Sequence, residues 1–384
     1  MAHTVFQMPS RVINGLGCFE TLSEEVKRLG ASRVLLVMDP FLIQNGFAGK
    51  TAEKLQEQGL GAAVFDKVEP EPRLEIPEEA AKLAGSFKAD IVVAVGGGSS
   101  MDIAKVLSIL VTNEEKVRDL VGVGLVKKPG LPKIFIPTTA GSGSEVSMVA
   151  VFSDTVAKTK VSVWSPHLLA NTVLLDAELT VGLPRAGTAA TGMDALIHAV
   201  ESYTSRIATP ATDLYAEKAI RLISKYLRPA WARGDNLEAR ENMMTAAFYS
   251  GLALSNASTA GVHALSSPLG SEFHVPHGVA NSIMLLPVLR RSLTGHLGRY
   301  ARIAAFMGED VEGLTDREAA DLCVAALDRL IEDLRVPRHM ADYGVTKDDV
   351  PVLAKSVMQL TRLLSYNPYT ITYEDAVAMY TDAL

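Results

Sequence analysis

Residues 91–105 read IVVAVGGGSSMDIAK: a run of five apolar residues, three glycines, then a helical pattern opened by serines. Continuous apolar character places Ile91–Val95 in the middle of a parallel sheet covered on both faces. Gly96, Gly97 and Gly98 let the backbone approach closely at the strand end, and Ser99 leads into the helix. Backbone N–H groups at such a turn, aided by the helix dipole, suit a pyrophosphate. The plainer reading is a tight strand-to-helix turn. The spacing is not G-x-G-x-x-G, so a standard Rossmann domain is not expected.

The first half of the chain repeats this rhythm. Val34–Asp39, Ala62–Val68 and Lys133–Pro137 are short extended runs, and Glu20–Leu29, Phe47–Gln58 and Pro77–Phe87 carry apolar residues at helical spacing, which together mean βαβ units. Ile136–Glu145, IPTTAGSGSE, again puts hydroxyls and glycines directly after a strand. Asp39 ends its own strand, where a carboxylate can accept hydrogen bonds from an adenosine ribose and repel a 2′-phosphate, favouring NAD over NADP. Standing before Pro40, it also reads as a helix N-cap. Three more extended runs follow, Val149–Ser153, Val161–Trp164 and Thr172–Leu175. From Pro184 onward the pattern is almost wholly helical. Turn chemistry at Leu183–Gly187 sets the expected division: an α/β domain over residues 1–185 and an all-α domain over 186–384.

The helical half holds a second constellation. In GMDALIHAVE, residues 192–201, Asp194 and His198 are four apart and share one helix face. His263 follows Gly261, and His274 and His277 flank a bend at Pro276 and Gly278. One carboxylate with imidazoles suits a borderline ion such as Fe²⁺ or Zn²⁺ rather than Mg²⁺ or Ca²⁺. Taken singly, any of the eight histidines reads first as a packing or surface residue.

Composition narrows the class. A formal charge of −7 with dispersed Lys and Arg disfavours nucleic acid and anionic lipid as partners. Two cysteines, Cys18 and Cys323, are too few for a disulfide framework and fit a reducing, cytoplasmic setting. The opening MAHTVFQMPSRVING lacks the pattern of a secretory signal, and no apolar run approaches the ~20 residues that span a bilayer.

With these segments in their order, the whole chain resembles the iron-containing, or group III, alcohol dehydrogenase family. The resemblance rests on GGGSSMDIAK at 96–105, PTTAGSGSEVS at 137–147, GMDALIHAVESY at 192–203 and the run from His263 to Gly278. It implies a dehydroquinate-synthase-like fold and NAD(H)-linked hydride exchange between an alcohol and an aldehyde, with a divalent metal polarising the substrate oxygen. It implies Asp194, His198, His263 and His277 as metal ligands. Gly96, Gly97, Gly98 and Ser99 would hold the pyrophosphate, with Asp102, Thr138, Thr139, Ser142 and Lys160 completing the cofactor site and Asp39 facing the ribose. A homodimer or larger assembly is implied as well. Val149 and Val151, two apart on an extended run, would face the nicotinamide and substrate, and Ser267, four residues after His263, would join them in the pocket wall.

Three positions depart from the family pattern. Ser267 stands where many members have a histidine, so His277 and His274 are the remaining candidates for a proton relay. Pro70-Glu71-Pro72 replaces a motif that often reads Pro-Asn-Pro. His274 replaces a non-ionisable residue. On the same scaffold the rivals are a diol dehydrogenase and a hydroxyacid (4-hydroxybutyrate-type) dehydrogenase. From another class, a catalytically silent dinucleotide-binding protein would keep the glycine loops and lose metal ligands.

Overall fold

Nine strands form among residues 4–156 and 159–384, the part of the chain that the computed structural model describes: β1 (Val12–Asn14), β2 (Arg33–Met38), β3 (Gly61–Phe65), β4 (Ile91–Gly96), β5 (Gly122–Val123), β6 (Lys133–Pro137), β7 (Val149–Asp154), β8 (Thr159–Trp164) and β9 (Thr172–Leu175). Six of them make one parallel sheet in the order β1-β9-β6-β4-β2-β3. All of β4 and β6 is buried, which is why those segments read as unbroken apolar runs. The crossovers are α1 (Leu22–Arg28), α2 (Pro40–Gln44), α3 (Phe47–Glu57), α4 (Ile76–Phe87) and α5 (Gly98–Leu110). A smaller sheet, β5-β8-β7, pairs β7 with β8 antiparallel.

Strand order reverses between β2 and β4, because β3 lies beyond β2 while β6 and β9 lie beyond β4. Ligands of open parallel sheets bind outside the carboxyl ends of the strands at such a switch point. Met38 pairs with Val95, so Asp39 and Gly96 emerge side by side. On the other flank Gly96 pairs with Pro137, and the Thr138 N–H donates to the Gly96 carbonyl at 3.0 Å. Asp39, the glycine loop and the Thr138–Thr139 loop therefore share one edge of this unit.

The expected strands recur within a few residues. Ala62–Val68 ends sooner, at Phe65, since β3 is an edge strand and the chain then turns toward Pro70-Glu71-Pro72. β1 was not foreseen: three residues carry no usable alternation, and only pairing with β9, Val12 against Val173, makes them a strand.

Beneath the loops lies a buried ammonium. Lys105 Nζ on α5 meets Val149 O at 2.6 Å, Ser144 Oγ at 2.7 Å, Ser147 Oγ at 3.0 Å and Asp102 Oδ1 at 3.2 Å. Asp102 in turn accepts from Ser144 Oγ at 2.6 Å and from the Val151 N–H at 2.9 Å. Burial pushes the Lys105 pKa down, against the pull of Asp102 and Glu145, while burial pushes Glu145 up to about 7. This network ties α5 to the start of β7.

The other compact unit comprises Val181–Leu384, the segment ending at Phe6, and Ala140–Ser142. Its helices include α6 (Arg185–Thr204), α7 (Pro210–Ala232), α8 (Leu237–Ala257), α9 (Gly261–Phe273) and α10 (His277–Ser292), with further helices from Leu297–Phe306 to Tyr373–Asp382. From Gly192 to Thr204 every residue of α6 is buried, so this helix runs through the core. Arg240 fixes its approach by donating to Thr188 Oγ1 at 2.9 Å and to the Leu183 carbonyl at 3.2 Å. No helix among the described residues is long and apolar enough to cross a membrane.

Gly96 has φ 154°, and a Cβ there would lie 2.5 Å from Ser100 Oγ and 3.0 Å from Asp39 Oδ2. Gly96→Ala is predicted to cost about 1–3 kcal/mol of stability through backbone strain and displacement of these neighbours. Urea unfolding followed by circular dichroism tests this, and a parent-like transition would mean that the loop relaxes without strain.

Candidate active site

α6 presents Asp194 and His198 on one face, as their spacing requires. α9 brings His263 near its first turn, and α10 begins at His277 behind Pro276. Gly278 makes this start possible, since a Cβ there would collide with the Ala190 carbonyl of α6. One atom each from Asp194, His198, His263 and His277 lies within 4.8 Å of all the others. His198 Nε2 is 3.7 Å from Asp194 Oδ1, and His263 Nε2 and His277 Nε2 are each 3.6 Å from it. A tetrahedral ion with bonds of about 2.1 Å separates its ligand atoms by about 3.4 Å, so the spacing fits one. Three of the side chains are nearly closed off from solvent, while His277 is 44 % exposed.

Electrostatics follow from this geometry. Burial raises the Asp194 pKa, but the imidazoles of His198, His277 and His263 outweigh it and hold the carboxyl well below its usual range. Burial pushes His198 down. His263 is buried too, yet Glu201 and Asp194 push its pKa up to about 9. Glu201 Oε2 lies 2.5 Å from His263 Nδ1, and Glu201 Oε1 accepts from the Val262 N–H at 2.6 Å. A proton on Nδ1 donated to this carboxylate leaves Nε2 to bind an ion, the usual device for orienting a ligand histidine.

Glu201, Asn281 and Ser266 are site residues that sequence reading passed over. Glu201 lies three residues after His198 and Asn281 four after His277, helical spacings that could have found both. Asn281 Nδ2 lies 2.7 Å from Asp194 Oδ1. His274 is not part of the cluster: it is exposed, and with φ 55° it forms the left-handed cap of α9. Ser267 lies on α9 one turn beyond His263 and is half-buried.

In the α/β unit the glycine turn leads directly into α5. α5 starts behind Gly97 with no side-chain cap and no acid in its first turn, so its leading N–H groups remain available. The Ser100 hydroxyl, buried beside them, has no hydrogen-bond partner among the described residues. Thr138 and Thr139 are half-buried at the same strand edge, whereas Ser142 falls in the segment that belongs with the helical unit. Asp39 caps α2 by accepting from the Leu42 N–H at 3.2 Å, and burial raises its pKa. The capping reading of Asp39 is thus realised, with its second oxygen turned toward Gly96. Lys160 Nζ pairs with Glu71 Oε1 at 2.9 Å. Val149 and Val151 lie on the less buried face of β7, Val151 being 40 % exposed.

Comparison with known proteins gives matching families for both halves. Residues 9–177 match the model of iron-containing alcohol dehydrogenases, and residues 188–384 match the C-terminal part of the Fe-containing alcohol dehydrogenase family. The chain is 40 % identical over 389 residues to long-chain-alcohol dehydrogenase 1 of Geobacillus thermodenitrificans (strain NG80-2), covering 100 % of this chain and 97 % of that one. It is 35 % identical over 381 residues to the NAD-dependent methanol dehydrogenase of Bacillus methanolicus, covering 99 % and 100 %. Among solved structures, a 1,3-propanediol oxidoreductase superposes with a TM-score of 0.97 at 36 % identity, over the full length of both chains.

A proton held by His263 must leave before a cation can take Nε2. Metal affinity of the metal-free protein is therefore predicted to rise about tenfold per pH unit from 6.5 to about 9 and to level off above. Glu201→Gln removes the main pull on that proton, so the plateau should begin at lower pH while peak affinity falls about 10–100-fold. Competition with a chromophoric chelator across the pH range measures both, and an affinity independent of pH would rule out the proton competition.

Proposed function

Because the chain belongs to the iron-containing alcohol dehydrogenase family and is accordingly an oxidoreductase, we propose that it exchanges hydride between NAD(H) and a primary alcohol or its aldehyde. The convergence of Asp194, His198, His263 and His277 within 4.8 Å carries this reading. A divalent ion held by these four supplies a Lewis acid for the substrate oxygen. Fe²⁺ is the working ion in this proposal. Zn²⁺ is its competitor, since donor sets of this kind bind zinc more tightly.

The remaining roles fall to the chain's own groups. The N–H groups of Gly96–Ser99, at the start of α5, hold the pyrophosphate of NAD(H), and Thr138, Thr139 and Ser142 add hydroxyl donors. Lys160 keeps hydrogens free beyond its pair with Glu71 and donates to the cofactor. Asp102 borders the site while fixing Val151 and Ser144. Asp39 faces the adenosine ribose and disfavours a 2′-phosphate, giving NAD preference over NADP. His277 serves as ligand, and His274, exposed near it in sequence, passes the alcohol proton to water. Val149 and Val151 on β7, and Ser267 on α9, are the proposed determinants of substrate size. The named substrates of the relatives run from methanol to long-chain alcohols, so wall residues of this kind set the accepted length. The enzyme is placed in the cytoplasm, consistent with two buried, unpaired thiols, as a homodimer or larger assembly.

Two outcomes test the reading. His277→Ala should lose bound metal and turnover while retaining NADH binding by fluorescence. Full turnover in metal-stripped protein, verified by mass spectrometry, would overturn the metal role. Asp39→Gly should shift the kcat/KM ratio toward NADPH, and glycine at an N-cap costs only a few tenths of a kcal/mol, so the fold should persist. An unchanged ratio would leave Asp39 as a cap alone.

A further inference from the structure

Asn281 is fully buried on α10, one turn beyond His277, and its amide is surrounded by ligand atoms. Its Nδ2 lies 2.7 Å from Asp194 Oδ1, 3.0 Å from His263 Nε2 and 3.2 Å from His277 Nε2. The opposite end is fixed as well: Asn281 Oδ1 is hydrogen-bonded by the Ser266 hydroxyl, which also lies 3.2 Å from the His263 carbonyl. A carboxylate oxygen only accepts, so the atom facing Asp194 is the donor NH₂, and the amide oxygen faces Ser266. An amide nitrogen offers no lone pair to a cation. Asn281 is therefore not a fifth ligand in this orientation.

From this arrangement we propose that Asn281 is a positioning residue for the metal. Once His263 Nε2 has given up its proton, its lone pair and those of Asp194 and His277 point toward one another, with Asp194 and His263 largely closed off from screening water. One amide hydrogen goes to Asp194 and the other lies between His263 and His277, which offsets that repulsion and holds the three ligand atoms near the spacing an ion requires. When a cation is bound, Asp194 keeps lone pairs enough to retain the Asn281 hydrogen bond, which orients its carboxylate. Ser266 acts through Asn281 by preventing rotation of the amide. The inference rests on the metal reading of the preceding subsection.

Asn281→Leu is close in volume and lacks the donors. It is expected to lower Zn²⁺ affinity about 10–100-fold in chelator competition and to change the visible d–d spectrum of the Co²⁺-substituted protein. Ser266→Ala should act in the same direction with smaller effect, and should add nothing further in the Asn281→Leu background. Circular dichroism and thermal melting establish that each variant is folded. Should Asn281→Leu fail to fold, Ser266→Ala decides alone, by the same affinity and spectrum. Parent affinity and an unaltered Co²⁺ spectrum in the folded variants, or additive losses in the double variant, overturn the positioning role. A parent protein that binds neither Zn²⁺ nor Co²⁺ would instead sink the metal reading itself, so the two failures are told apart.

Discussion

A carboxylate in a protein core costs several kcal/mol unless other groups replace its water, and Asp194 sits in the middle of the helical unit at 5 % exposure. Three imidazoles and one amide converge on its Oδ1. Much of that unit's local architecture serves this convergence. α6 must run through the core to bring Asp194 and His198 inside, and α9 and α10 must begin beside it. The close approach at Gly278 is tolerable only without a side chain. Glu201, also buried on α6, then answers the imidazole of His263 from its far nitrogen.

The α/β unit solves the converse problem around Lys105. A buried ammonium needs acceptors, and it takes them from Asp102, Ser144, Ser147 and Val149. This has a consequence for the glycine loop. Asp102 lies one turn into α5, where a free carboxylate would oppose an anion at the helix start. Its charge is instead drawn toward Lys105, the Ser144 hydroxyl and the Val151 N–H. The same bonds fix where β7 begins, and thereby the face on which Val149 and Val151 stand.

Two of the non-glycine residues with positive φ bear on these sites. Glu71 adopts φ 48° between two prolines, a conformation that asparagine tolerates better than glutamate. Both ends of the residue are held, the carbonyl by the Ser153 hydroxyl at 3.1 Å and the carboxylate by Lys160. Those bonds compensate for the residue type and turn a departure from the family pattern into an anchor for Lys160. His274 adopts φ 55° as the cap of α9, so its first structural task is to end one helix before Pro276 and His277 begin the next.

Local chemistry made much of this legible in sequence. Apolar runs without alternation marked the central strands. Glycines after a strand marked the turn into α5, and the four-residue spacing of Asp194 and His198 fixed their common face, because each of these signals is set within one or two turns of chain. Tertiary packing decided the rest. Spacing by itself left His263, His274 and His277 open; the family resemblance singled out His263 and His277, and the meeting of three helices distant in sequence brings those two to Asp194 while His274 caps α9. Glu201 and Asn281 sat at readable spacings but gained meaning only when their hydrogen bonds reached other helices. The order β3-β2-β4-β6 brought Asp39 beside Gly96, and the sequence could not supply that order: a strand's pattern records that its faces are buried, while its neighbours are chosen by long-range pairing.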